Sequence, residues 1–313
     1  MLTRREFVSA SYRAALGRRT SDLILSNAWT ESSKRWTGAA RESKRSAMIM
    51  ADAYRKGFLI DLEGTLLDRG QPARGASELV ERLQLSHQPH RFLCDQRFGS
   101  PRELSLRLRR QGLRLDDARI FTSALATARF LGRQEPGGTA FVIGDGGLIQ
   151  ALQRNGFAVD DRNPNYVIVG EGDALSTSLL QRAVNLIRGG AKLIAASLDP
   201  SIVTRDGMAP GSGAIVSALE TATGRKALSL GRMSPTTVCE AARDIATSPQ
   251  QTILLTAKMD PDVLTGLQLG LVTVLVQGAY TASELAAFPY KPTLVVKSLN
   301  DLLEHELLQA PAA

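Results

Sequence analysis

The sequence predicts an α/β protein built on a mainly parallel sheet with helices on both faces. Three observations predict it. From residue 57 onward, apolar runs of strand length alternate with segments of helical period. The runs are apolar almost without interruption, as strands buried on both faces are. The first of them, Phe58-Leu59-Ile60, ends on the carboxylate of Asp61 and is followed by a Gly64-Thr65 turn. Ligands of open α/β sheets bind beyond the carboxyl ends of the strands, so Asp61 stands where chemistry would be placed.

In chain order, strands are expected at 57–62, 90–95, 140–144, 166–170, 192–197, 228–231, 251–256, 272–277 and 293–297. Helices are expected between them, among others at Gly75–Ser86, Pro101–Gln111, Gly147–Asn155, Leu175–Arg188 and Pro235–Ala246. After residue 57 there is no repeat, heptad or low-complexity run. Gly144-Asp145-Gly146-Gly147 follows a strand and opens a helix, which invites a dinucleotide reading. The third glycine of that fingerprint would fall at Ile149, however, and a tight strand-to-helix turn is expected instead. His87, His90 and His305 lack ligand spacing and are expected at the surface.

The chain has 313 residues, enough for one large α/β domain or two modest ones. Two cysteines, Cys94 and Cys239, argue against a disulfide framework and fit a reducing, cytoplasmic setting. No apolar run approaches the roughly 20 residues a membrane-spanning helix needs. The net charge of +7 belongs to residues 1–56, with 12 Lys/Arg and 5 Asp/Glu; the remainder holds 26 of each. A neutral body does not favour nucleic acid. The basic arm is either a solvated extension or a docking segment for a protein partner, with Trp29 and Trp36 as its apolar contacts. Thr3-Arg4-Arg5-Glu6-Phe7-Val8 has the look of an export signal, but Arg13, Arg18 and Arg19 interrupt the apolar segment that such a signal needs. An organellar arm is weakened by Glu6, Asp22, Glu31 and Glu42, so a non-targeting extension is the preferred reading.

The run Phe58-Leu59-Ile60-Asp61-Leu62-Glu63-Gly64-Thr65-Leu66 resembles the first motif of the haloacid dehalogenase (HAD) superfamily, Asp-x-Asp-Gly-Thr-Leu. The order of Phe121–Ala128, Phe141–Gly144, Asn155-Gly156-Phe157, Tyr166–Gly170, Pro210–Ala214 and Thr223–Lys226 resembles its NagD-type class. The resemblance implies a Rossmann-like core at 57–122 and 222–313 with an inserted α/β cap at 123–221. Residues 1–56 form the extension. It also implies a cleft between core and cap, hydrolysis of small phosphate monoesters with Mg²⁺, and a homodimer formed through the cap.

The chemical positions depart from the pattern. The resemblance makes Asp61 the nucleophile and puts Glu63 at the acid/base position, one methylene longer than the usual Asp; a shift of about 1 Å there can cost around a hundredfold in rate. Cys94 and Asp95 stand where a hydroxyl residue and an Asn would contact phosphate, and a thiol is a weak donor. Arg232 replaces a Lys and keeps the charge in a different geometry; a salt bridge to Asp61 could simply hold an empty site together. In Thr256-Ala257-Lys258-Met259-Asp260-Pro261-Asp262, Ala257 replaces the metal-binding Asp while Asp262 keeps the second acidic position. Any Mg²⁺ would be left with Asp61, the Glu63 carbonyl and Asp262, beside a competing Lys258. Asp199 of the cap is kept in a wall that has lost its Asn. These changes imply a catalytically impaired pseudo-phosphatase used for binding, regulation or assembly. The alternatives are an atypical active phosphatase with Asp61 as nucleophile, and a scaffold that presents the basic arm.

Overall fold

The computed structural model describes residues 56–95, 100–172, 176–204, 207–278, 280–305 and 307–308. The basic arm, with its targeting and docking readings, lies outside them. The chain opens with β1 (Gly57–Asp61), a short hairpin β2 (Leu67–Asp68) and β3 (Gln71–Pro72), α1 (Ala76–Leu85), β4 (His90–Cys94), α2 (Pro101–Arg110) and β5 (Ile120–Thr122). A helix, α3 (Ser123–Gln134), leads into β6 (Thr139–Ile143), α4 (Gly146–Arg154), β7 (Ala158–Val159), β8 (Tyr166–Val169), α5 (Thr177–Arg188) and β9 (Lys192–Ala195). A second hairpin, β10 (Ser201–Thr204) and β11 (Gly207–Pro210), is followed by α6 (Ser212–Thr223), β12 (Leu228–Ser229) and α7 (Pro235–Asp244). The chain closes with β13 (Thr252–Thr256), α8 (Leu264–Leu269), β14 (Val272–Val276), α9 (Ala282–Ala287), β15 (Leu294–Val296) and α10 (Leu299–Glu304).

Two parallel sheets result. The core sheet runs β15-β14-β13-β1-β4-β5 and the cap sheet β12-β9-β8-β6-β7. β1 is central: it pairs with β13 on one side and β4 on the other, both parallel. The chain first builds outward through β4 and β5, then crosses back to build β13, β14 and β15. β1 therefore sits at the switch point of the strand order, where an open α/β sheet places its ligand crevice. Its pleat explains the unbroken apolar run. Phe58 and Ile60 enter one core cluster and Leu59 the other, so both faces are buried. The cap repeats this on β8, where Tyr166 and Ile168 face one cluster and Val167 and Val169 the other.

Local signals set the element ends. Ser100 caps α2 through a reciprocal capping box with Glu103, and Pro101 occupies the first turn. Asp145 accepts from the amides of Gly147 and Leu148, so the glycine-rich turn is a helix cap. Gly266 is required by packing: a Cβ there would lie 2.5 Å from Thr273 Cγ2 and 3.0 Å from Leu254 Cδ2.

The structure changes three expectations. The strand near 228 belongs to the cap sheet, with Leu228 and Ser229 paired to Ile194 and Ala195 of β9. Leu230 is buried in a cap cluster, so the return to the core falls after Ser229 and not at 222. His90 is 1% exposed, because it opens β4 rather than ending the preceding loop. Its Nδ1 lies 2.7 Å from the Gln88 carbonyl, and burial lowers its pKa, which favours the neutral ring. Finally, β5 and the β10–β11 hairpin add strands that the sequence pattern does not mark. β5 is three residues long, and β11 of the hairpin, Gly-Met-Ala-Pro, is largely exposed and lacks the apolar run of a buried strand.

Candidate active site at the switch point of the core sheet

Four segments converge beyond the carboxyl ends of the core strands. β1 ends on Asp61, which is fully buried. The turn behind it is tight: Gly64 has φ 84°, a left-handed conformation that favours glycine, and its amide donates to the Leu67 carbonyl at 2.7 Å. β4 ends on the buried Cys94, with Asp95 next and 6% exposed. The loop after β12 carries Arg232, 7% exposed. That loop is fixed by two hydroxyls: Thr237 donates to the Leu230 carbonyl and Thr265 to that of Met233. The turn after β13 carries Lys258 and the buried Asp262.

Arg232 is the hub. Its Nη1 lies 2.9 Å from Asp61 Oδ1 and 3.0 Å from Asp262 Oδ2, and its Nε lies 3.1 Å from Asp95 Oδ2. Lys258 Nζ lies 3.4 Å from Asp61 Oδ2. Thr256 donates to Asp262 Oδ2 at 2.6 Å and accepts from the Lys258 amide at 3.1 Å. Three carboxylates thus share two cations; the carboxylates and Arg232 are buried, while the Lys258 side chain is 37% exposed. Neither Asp61 oxygen has the angles of a hydrogen bond despite the short ion-pair distances, and Asp262 Oδ1 is also without one. Burial pushes the Asp61 carboxyl up to about 7; Arg232 and Lys258 oppose this, while Asp262 and Asp95 reinforce it. Burial works against the charge of Arg232, but the three carboxylates outweigh it and hold the guanidinium well above its ordinary pKa. Cys94 is pushed up by burial and then by the neighbouring carboxylates, so it is a neutral thiol.

The other expected residues lie around this cluster. Glu63 follows Asp61 by two positions and bridges to Leu67. Its charge acts on Arg107 of α2, whose pKa is lowered by burial and raised in part by Glu63. Ala257 sits beside the turn: its methyl is 3.6 Å from where a Cβ on Gly64 would be. Asp260 is exposed, unlike Asp262. Asp199 lies on the cap segment after β9, its amide donating to Ser197 Oγ and its carbonyl accepting from Gly213. A Cβ on Gly231 would lie 3.6 Å from the Ser197 Cα, so this segment adjoins the Arg232 loop.

Sequence reading misses Thr256, Arg107 and Glu171. Thr256 is visible as a hydroxyl on the last residue of an apolar strand. Arg107 is one of several arginines on its helix, and nothing local distinguishes it. Glu171 is 6% exposed and accepts from Ser212 Oγ at 2.7 Å; its partner is 41 residues away, beyond the reach of local pattern.

Residues 58–158 match the family described as haloacid dehalogenase-like hydrolase, and residues 229–302 match a second HAD-hydrolase-like family. The chain is 35% identical over 248 residues to a dihydroxyacetone phosphatase of Corynebacterium glutamicum, covering 79% of this chain and 90% of that one. The chain belongs to the HAD superfamily. Within it the protein is of the NagD type. The solved structure of NagD from Escherichia coli K-12 superposes with a TM-score of 0.73 at 31% identity, over 78% of this chain and 96% of that one. An acid sugar phosphatase of Staphylococcus saprophyticus is 30% identical over 80% of this chain and 97% of its own length. The two parallel sheets and Asp61 at the switch point of the core sheet are therefore those of a HAD phosphatase fold.

A hard divalent cation needs about six oxygen ligands, and the donors here do not fit one. Of the carboxylates expected to hold Mg²⁺, Asp61 and Asp262 are bridged by one guanidinium nitrogen. Glu63 would serve through its backbone carbonyl, and Ala257 offers no side-chain oxygen.

Proposed function

We propose that this protein retains the ligand-binding cleft of a NagD-type phosphatase and that its capacity to hydrolyse phosphate esters is impaired. The observation that supports this most directly is the state of Asp61. An attacking carboxylate must be ionised and within reach of phosphorus. Asp61 is fully buried, faces Arg232 and Lys258 across 2.9 and 3.4 Å, and is pushed up to about 7. At neutral pH a large share of it is protonated, and the ionised share is already paired. The positions that would hold and protonate a phosphate ester are altered alongside it. Cys94 is a neutral thiol at a hydroxyl position, Asp95 adds a carboxylate, and Glu63 acts on Arg107. The relatives are named a dihydroxyacetone phosphatase, an acid sugar phosphatase and a ribonucleotide monophosphatase, which supports a small phosphate monoester as the class of ligand.

A second reading is an atypical but active phosphomonoesterase, with Asp61 as nucleophile and Glu63 as acid and base. It is favoured by the names of relatives at 30–35% identity over nearly four-fifths of the chain. One experiment separates the two: hydrolysis of an aryl phosphate, dihydroxyacetone phosphate and a hexose phosphate by the full chain, beside Asp61→Ala, with and without Mg²⁺. The impaired reading expects equal, near-background rates for both proteins. Turnover lost in Asp61→Ala would overturn it in favour of the second.

A further inference from the structure

We infer that Arg232 and Lys258 together do the electrostatic work of a divalent cation in this cleft, and that Ala257 and Lys258 are the positions that close its carboxylate cluster to metal. The geometry carries this. A cation held between the end of β1 and the turn after β13 would have to bridge Asp61 and Asp262. Arg232 Nη1 already does so, at 2.9 and 3.0 Å. The other Asp61 oxygen faces Lys258 Nζ at 3.4 Å, and the backbone of that lysine is tied to Thr256 Oγ1 at 3.1 Å. The side toward the Gly64 turn is lined by the Ala257 methyl.

The charges agree with the geometry. Even with Asp61 fully ionised, Asp61, Asp95 and Asp262 bring three negative charges against the two positive ones of Arg232 and Lys258, and at neutral pH the balance is closer to zero. That balance is a weak lure for an ion that must shed its water. Because Asp61 is fully buried, a metal would reach it only by displacing one of the two cations. The cluster also joins the cap-return loop to β1, β4 and the turn after β13 without any metal, so the fold keeps this cross-link whatever the cleft binds.

The inference concerns the same site as the proposed function but has its own readout. Mn²⁺ is titrated into the full chain in 0.15 M NaCl while free Mn²⁺ is followed by electron paramagnetic resonance, for wild type, Asp262→Asn and the double variant Ala257→Asp/Lys258→Asn. The expected result is no saturable loss of signal in wild type beyond that also given by Asp262→Asn, and a gain of at least about tenfold in affinity in the double variant as ligand charge is added. Saturable wild-type binding that Asp262→Asn abolishes overturns the inference. A folded double variant that binds no better than wild type overturns the assignment of Ala257 and Lys258. If the double variant does not fold, the first comparison still decides. Ester hydrolysis by wild type that needs no metal would sink the impaired reading and leave this inference standing, whereas cluster binding without hydrolysis would do the reverse.

Discussion

Two ion networks hold the segments by which the chain enters and leaves the cap, and they differ in one respect. The network around Arg232 is buried, with side-chain exposure of 8% for Arg232 and none for Asp61 and Asp262. The other lies between the two helices through which the chain enters and leaves the cap, α3 and α7. There Arg129 of α3 and Arg91 of β4 reach Asp244 at 2.7 and 3.3 Å, and Arg133 of α3 and Arg243 share Glu240. Its arginines are 19–49% exposed. Exposed pairs are screened and contribute little. Buried ones gain little over an apolar replacement, but losing one partner leaves an uncompensated charge. The same chemistry therefore makes an adjustable seam at the helices and an all-or-nothing lock at the cleft.

The contrast is sharpest at Arg232. Arg232→Met would leave Asp95 and Asp262 without their buried cation and Asp61 with Lys258 alone, at a cost of about 3–5 kcal/mol, on the order of 10 °C in Tm for a body of this size. Thermal denaturation at pH 7 checks this, and a drop of only a degree or two would erase the distinction between the networks. Arg232→Lys should fall between, because an ammonium keeps the charge but not the forked reach.

The next effect has the opposite sign. Asp61 titrates near 7 in the fold against 3.8 in the open chain. The folded state therefore binds more protons between those values, and stability falls as pH rises through that window. Asp61→Asn removes the penalty. Its Tm should exceed that of wild type by several degrees at pH 8 and converge with it near pH 4. A wild-type advantage at pH 8 would mean that pairing with Arg232 outweighs burial.

Thr256→Val keeps the shape but deletes the 2.6 Å bond to Asp262. A hydrogen bond to a charged group is worth about 1.5–3 kcal/mol, and denaturant unfolding should show a loss of that order. Smallest is the seam. Asp244→Asn should cost about 1 kcal/mol or less, and the difference should vanish when unfolding is repeated in high salt. A larger, salt-insensitive loss would place the seam with the buried cluster.

Much of the fold is legible because the core strands announce themselves. A strand buried on both faces, such as Phe58–Ile60, must be apolar throughout, and helices such as Pro101–Arg110 carry their caps in the sequence. The candidate site is legible as a set of positions: Asp61, Cys94, Arg232 and Asp262 each follow or adjoin a strand end. Pattern marks the strand near 228 but not its sheet, and the resemblance places it in the core rather than beside β9, because a two-residue strand carries no mark of its neighbours. His90 reads as a surface residue because its burial comes with its place in the sheet, paired with Phe58 of β1, which the polar residues before it do not reveal.

The sequence by itself determined the class and the strand that carries the carboxylate, because these depend on residue identity and local period, and its resemblance to the family singled out Ala257. Only the tertiary structure decided what faces that carboxylate. Arg232 lies 171 positions beyond Asp61 in the chain, and Asp262 lies 30 beyond Arg232. Whether one guanidinium can touch three carboxylates is a matter of ångströms fixed by the order of strands around β1. The charge state of Asp61 follows from the same fact, since burial acts on the group only after four distant segments have closed over it.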